Sequence, residues 1–232
     1  MIKEQIGYST LYNCDCMDLM AQYPDKHFEL AIVDPPYGIG EHGGKIRNGI
    51  NGKKRGFEVK INYQKKEWDK SRPTNDYFNE LFRISKNQII CGGNYFVQFL
   101  KPSMGWIYWD KKISNPNSDF SDGELIYTSF NRALRKFVYG WIGLDYVNNK
   151  NEDRKIHPTQ KPVALYKWLL SRYAKPNDKI LDTRFGSGSL AVACNEMGFN
   201  LTASEIDQDY FNAACLRVTE ANKQGDLFRE AG

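Results

Sequence analysis

The chain has 232 residues, 41% of them hydrophobic and 26% charged, with a formal net charge of +4. That suffices for one packed domain with inserts and excludes a wholly disordered chain. No stretch approaches the roughly 20 apolar residues of a membrane span. Residues 1–10 hold no signal-like apolar run, and five scattered cysteines read as the reduced thiols of a cytoplasmic protein.

In chain order, Phe28 to Val33 reads as a short buried strand. Asp34-Pro35-Pro36 ends it, because proline has no N–H to continue a ladder. Seven glycines between Gly38 and Gly56 mark a loop. The charge is uneven across this region. Residues 41–70 carry nine Lys/Arg and four acids, a local +5 that leaves the rest of the chain at −1. Such a segment is either a handle for a polyanion or a solvated loop. Apolar residues at 77, 78, 81, 82 and 84 predict an amphipathic helix over 76–85, capped by Thr74 or Asn75. Strands are expected at 88–91, 106–109, 124–130 and 136–142, within a stretch (104–146) that holds ten aromatics, most of them core. A helix over 163–173 follows Pro162, then a strand at 179–182, a tight turn over 186–189 and a helix over 190–197. A strand at 200–204 and a helix at 208–222 complete the set, with a frayed tail after 225. Strands alternating with helices predict an α/β domain on a mostly parallel sheet.

Two motifs carry chemistry. Asp182-Thr183-Arg184-Phe185-Gly186-Ser187-Gly188-Ser189 is a strand end, a glycine turn and a helix start. Glycines admit a ligand to the backbone and the helix N-terminus offers free N–H groups. Glu205, 17 residues after Gly188, ends the next strand where an acid accepts hydrogen bonds from ribose hydroxyls. The alternative is a glycine turn with no ligand. Asp34-Pro35-Pro36-Tyr37 follows a buried strand directly. It puts a carboxylate, rigid carbonyls and a flat ring at a strand's carboxyl end, a clamp for a planar group bearing an NH₂. The alternative is a strand-ending turn with a capping Asp.

Together the two motifs resemble the N6-adenine/N4-cytosine DNA methyltransferase family. The catalytic motif precedes the cofactor loop, which is the family's β-type order. His157-Pro158-Thr159-Gln160-Lys161-Pro162 resembles the element before the cofactor loop. Asn13 to Asp18 resembles the segment that closes over the cofactor adenine, and Gly92 to Phe96 and Glu124 to Phe130 resemble the middle motifs. One departure stands out: the common loop is Asp-Pro-Phe-x-Gly-Ser-Gly-Thr, and here Thr183 and Arg184 replace the Pro and Phe. Phe185 is left to supply the loop's ring contact, or none is made.

The resemblance implies a Rossmann-like S-adenosylmethionine-dependent methyltransferase. Its sheet would be mostly parallel and twisted, with helices on both faces and an antiparallel edge. Residues 1–232 would form a single domain with inserts at 38–72 and 112–150, the second choosing the target sequence. It implies methyl transfer to N6 of a flipped adenine in double-stranded DNA, with N4 of cytosine and a non-catalytic DNA- or cofactor-binding relative as alternatives. Asp34, Pro35, Pro36 and Tyr37 would be catalytic: Asp34 and the Pro35 carbonyl hold the amino group and Tyr37 stacks on the base. Asp15, Cys16, Thr159, Lys161, Asp182, Phe185, Gly186, Ser187, Gly188, Ser189, Glu205 and Asp207 would bind the cofactor. Within that set Ser187 and Ser189 face the methionine end, and Thr159 and Lys161 its carboxylate. Lys53, Lys54, Arg55, Arg132, Arg135 and Lys136 would contact DNA. A homodimer and a cognate restriction nuclease are implied partners, and no metal is expected.

Overall fold

The computed structural model describes residues 1–40, 69–112, 121–141, 156–157 and 159–230. Among them nine strands form one sheet in the order β1-β2-β9-β8-β3-β4-β6-β5-β7. The strands are β1 Ile2–Ile6, β2 Ser9–Asn13, β3 Phe28–Val33, β4 Ser85–Cys91, β5 Ile107–Asp110, β6 Gly123–Thr128, β7 Arg135–Val138, β8 Lys179–Asp182 and β9 Asn200–Glu205. The helices are α1 Cys16–Met20, α2 Asn75–Ile84, α3 Val163–Tyr173, α4 Ser189–Met197 and α5 Gln208–Glu230. Pairing is parallel from β2 through β9, β8 and β3 to β4. It turns antiparallel where β6 joins β4 and β5, and where β1 joins β2.

Successive side chains of a strand point to opposite faces, and β3 uses this on both sides. Leu30 and Ile32 enter a core with Leu165 and Leu169 of α3, Leu190 of α4 and Phe211 of α5. Ala31 and Val33 enter another with Met20 of α1 and Phe78, Leu81 and Ile84 of α2. Both faces of the sheet are therefore helix-covered, and β3 is buried on both.

The expected strand at 88–91 begins earlier, at Ser85. The Ser85 hydroxyl and N–H both donate to the Leu81 carbonyl, closing α2, while its ψ of 144° already starts the strand. The β1–β2 hairpin and α1 have no counterpart among the expected elements. β1 is an edge strand with four of its five residues exposed, so it shows no apolar period. α1 is a five-residue helix capped by Asp15, whose Oδ1 accepts from the Met17 N–H at 2.7 Å. The last helix is assigned to Glu230 rather than ending at 222. Among the described residues no helix is long and apolar enough to cross a membrane.

The topology places the site. From β3 the chain moves to β4 on one side, and β8 later inserts on the other. The carboxyl ends of β3 and β8 thus flank the switch point, where open α/β sheets form their ligand crevice. Asp34 follows one strand and Asp182 ends the other, with Leu30 and Ala31 in register with Ile180 and Leu181.

Candidate active site and cofactor cradle

Asp34, Tyr37 and Lys161 meet at the end of β3. The Tyr37 hydroxyl donates to Asp34 Oδ1 at 2.8 Å, and Lys161 Nζ donates to Asp34 Oδ2 at 2.5 Å and to the Tyr37 oxygen at 3.0 Å. Lys161 is expected at the methionine carboxylate of the cofactor; its ammonium instead lies on the catalytic motif. The Lys161 side chain is 4% exposed and reaches Glu124 Oε2 at 3.4 Å on its other side. Burial alone would lower its pKa, but the Asp34 and Glu124 carboxylates outweigh burial and hold it above the ordinary lysine range. Burial likewise opposes the charge on Glu124, and the ammonium groups of Lys161 and Lys111 overcome it, leaving the carboxyl below its ordinary value. Glu124 is the member of this charged cluster that sequence reading missed as an individual. It lay only inside a motif-like stretch, and nothing local tells that β6 carries it to β3's end.

The Tyr37 ring is stacked on Tyr95, with centroids 4.7 Å apart and planes 12° from parallel. One face is thus covered, so a base stacking on Tyr37 takes the other face or displaces Tyr95. Gly92 abuts the same ring: a Cβ there would lie 2.3 Å from Tyr37 Cε1, and its φ of +63° is a left-handed conformation suited to glycine. Burial, then the Asp34 carboxylate, push the Tyr37 phenol well above its ordinary pKa, so it stays a hydrogen-bond donor. After Tyr37 the chain is clamped. Asp69 Oδ1 and Oδ2 accept from the N–H groups of Gly38 (2.8 Å) and Ile39 (3.3 Å), and Arg72 Nε donates to the Tyr37 carbonyl at 3.0 Å. The basic segment with Lys53, Lys54 and Arg55 lies outside the described residues; its two flanks meet beside Tyr37.

The cradle lies at the ends of β8 and β9. Glu205 braces the turn, with Oε2 accepting from the Gly186 N–H at 3.0 Å and Oε1 from the Asp207 N–H at 2.9 Å. Each carboxylate oxygen retains lone pairs for a ligand. A Cβ on Gly186 would meet only the Arg184 carbonyl, at 3.6 Å, so the bare backbone faces open space. Gly188 is the N-cap of α4 with φ +76°, and a Cβ there would press on Val218 and Phe185. Asp182 is buried and accepts from the Arg184 N–H at 2.9 Å. Burial, with Asp34 and Glu205 nearby, pushes its carboxyl up to about 7 against that N–H.

Several expected contacts are used within the chain. Ser189 donates to the Lys161 carbonyl at 2.7 Å, the Ser187 and Ser189 hydroxyls lie 3.1 Å apart, and Arg217 braces Ser187 and Ser189 from α5. Asp207 caps α5, accepting from Asp209 and Tyr210. Cys16 is buried, which raises its thiol pKa, and the Thr159 N–H and hydroxyl both lie against His157 Nδ1. Phe185 is not a ring of the cradle: it is 3% exposed and packs against Phe211 in the core. The departures find partners elsewhere. The Thr183 hydroxyl is 2.6 Å from that of buried Tyr77, and the Arg184 guanidinium lies 6.0 Å over the Tyr77 ring.

The second group of basic residues is less favourably placed. The register from β3 through β4, β6 and β5 to β7 sets Arg135 level with Cys91, and so with the end of β3, but four strands away across the sheet; Arg132 lies toward the strands' other end, near Glu29 and Lys86. Four strand spacings of about 4.8 Å each put Arg135 ~19 Å from Asp34. Arg132 donates to the Arg172 carbonyl at 2.6 Å and lies over Phe130 and Tyr173. Lys136 pairs with Asp110 at 2.6 Å and is 55% exposed.

A mostly parallel sheet with a glycine turn after β8 and an Asp-Pro-Pro-Tyr after β3 is the fold of S-adenosylmethionine-dependent DNA methyltransferases. The crystal structure of M1.HpyAVI in complex with SAM superposes with a TM-score of 0.57 at 17% identity, covering 90% of this chain and 98% of that one. The cytosine-N4-specific PvuII DNA methyltransferase gives 0.56 at 12% identity, covering 97% and 96%. Residues 94–215, more than half of the chain, match the model of the N6/N4 DNA methylase family, and the chain belongs to that family. Among similar sequences is the Type II methyltransferase M.HinfI of Haemophilus influenzae, 27% identical over 95% of this chain and 71% of the relative. Another is the Type II methyltransferase M2.MboI of Moraxella bovis, 25% identical over 90% and 87%.

Proposed function

We propose that this DNA methylase transfers a methyl group to N6 of an adenine flipped out of double-stranded DNA, as a site-specific Type II modification enzyme. The observation that carries this reading is the adjacency of Asp34 and the glycine cradle on neighbouring strands at the switch point. Asp rather than Ser at the first motif position favours adenine over cytosine within the family. The Type II descriptions of the two relatives support the modification role, and with it a cognate nuclease of the same specificity.

S-adenosylmethionine is the cofactor, and the residues fit it: Gly186 leaves open space above its backbone and Glu205 stands beside it. When bound, it supplies an electrophilic methyl on a sulfonium. Glu205 receives the ribose hydroxyls, Asp182 holds the loop, and Asp15 lies at the adenine end. Asp34 accepts one hydrogen of the target amino group and the Pro35 carbonyl the other, which aims the nitrogen lone pair. Tyr37 stacks on the base. Orientation of this kind can be worth effective molarities of about 10⁵–10⁸ M.

The whole chain acts as one domain, with the inserts 38–72 and 112–150 on the DNA. The basic segment has the stronger claim, because its flanks meet at Tyr37 through Asp69 and Arg72. Changing Lys53, Lys54 and Arg55 together to Ala should flatten the salt dependence of DNA binding, by about 0.9 in slope for each phosphate no longer neutralised. An unchanged slope would remove the segment from the DNA path. The test of the reading itself is nucleoside mass spectrometry of unmethylated DNA after incubation with protein and S-adenosylmethionine. N6-methyladenine is expected. N4-methylcytosine would overturn the base assignment, and no methylated base would overturn the reading.

A further inference from the structure

Glu124 is held in an incomplete way. Its Oε1 accepts from Lys111 Nζ at 2.6 Å, while Oε2 is buried with no hydrogen-bond partner. The ammonium facing Oε2 is Lys161 Nζ, 3.4 Å away and drawn toward Asp34 Oδ2 at 2.5 Å. Tyr37 occupies the other oxygen of Asp34. Both carboxylate oxygens of the catalytic motif are therefore taken by the chain's own donors, and an acceptor stands unused on the far side of the same ammonium. A buried acceptor left unpaired is costly, so this arrangement needs a compensating use.

We propose that Glu124 is a positioning residue that acts through Lys161, as a second seat to which the ammonium moves when the target amino group takes its place on Asp34. This rests on the reading of Asp34 as the acceptor of that amino group. Closing from 3.4 Å to a charge-assisted distance of about 2.8 Å weakens the 2.5 Å contact to Asp34 Oδ2, and a further swing of the ammonium around Glu124 Oε2 releases that oxygen. The flexible lysine stem permits it, and Lys111 keeps Glu124 in place to receive it. No proton changes hands. The buried cluster keeps its charge, and each carboxylate is partnered before and after.

Two measurements test this. In a crystal structure of Asp34→Asn the first seat loses its charge, and Lys161 Nζ should close on Glu124 Oε2 to about 2.8 Å. An ammonium that stays beside residue 34, with Oε2 still unbonded, overturns the proposal; this measurement needs no DNA. In single-turnover methylation at saturating cofactor, Glu124→Gln should slow transfer about 10²-fold, the loss typical of a misplaced reacting group. Its affinity for S-adenosylhomocysteine, read by calorimetry, should stay within about twofold, and Glu124→Asp should recover part of the rate. A rate within about threefold of wild type, or an equal loss of S-adenosylhomocysteine affinity, overturns it. A wild-type protein that leaves DNA unmethylated overturns the proposed function instead, and the crystallographic distance then decides the relay. The same distance decides it if Glu124→Gln does not fold.

Discussion

The turn after β3 and the turn after β8 lie side by side and meet opposite demands. At Asp34–Tyr37 the working atoms are side-chain atoms facing the crevice, and they lock to one another and to Lys161. At Thr183–Phe185 the side chains face away: Thr183 to Tyr77, Arg184 over the Tyr77 ring, Phe185 into the core. What that turn presents is backbone, with the Gly186 N–H held by Glu205 and the Gly188 N-cap of α4. A cradle made of backbone tolerates altered side chains provided each is packed or partnered. A clamp made of side chains does not. This explains why the family's Asp-Pro-Pro-Tyr stands intact here while two positions of the cofactor turn have changed.

Substitutions at the two turns can test this difference. The largest effect is expected at Lys161. Lys161→Met leaves the Asp34 and Glu124 carboxylates without their shared cation, and breaking a buried ion pair from one side costs about 3–5 kcal/mol. Urea denaturation should register that loss; a change no larger than that of a surface lysine would mean that the cluster is solvated. Next comes Asp34→Ala, which should lower the single-turnover rate by about 10²–10³, as for loss of one oriented hydrogen bond at a reacting group. Calorimetry should show S-adenosylhomocysteine binding nearly unchanged, whereas parallel losses would make Asp34 a structural residue.

On the cradle side the effects should be smaller. Tyr77→Phe strands the buried Thr183 hydroxyl and should cost about 1–3 kcal/mol of stability in the same denaturation assay. A loss as large as that of Lys161→Met would erase the distinction between the two turns. The last test concerns Asp182 and reads a pH slope. Its carboxyl is raised by burial from 3.8 to about 7 in the folded state. Between those values the folded chain binds the proton more tightly than the unfolded one, so this group's contribution to stability falls as pH rises through that window. Asp182→Asn keeps an acceptor for the Arg184 N–H and should flatten the slope, visible in thermal melts at about pH 5 and about pH 8. An unchanged slope would assign the pH dependence to other groups.

Much of this was legible in the chain because its physics is local. Prolines after an apolar run must end β3. α3 and β8 occupy the expected 163–173 and 179–182 because their apolar period and the Pro176-Asn177-Asp178 turn are contained in those residues. The glycine turn and Glu205 announce a cradle by spacing alone. The edge hairpin went unread because β1 is paired on one side and shows no buried stripe.

What tertiary structure decided is which distant residues meet. The antiparallel entry of β6 beside β4 carries Glu124 toward Asp34, and the insertion of β8 between β9 and β3 brings Lys161 to the same point. It also sent Phe185 into the core, and it placed Arg132 against Arg172 and Arg135 on the edge strand β7, four strands from β3. Charge and residue type are properties of a sequence. The burial that turns a lysine into the shared cation of two carboxylates exists only once strands far apart in the chain are packed together.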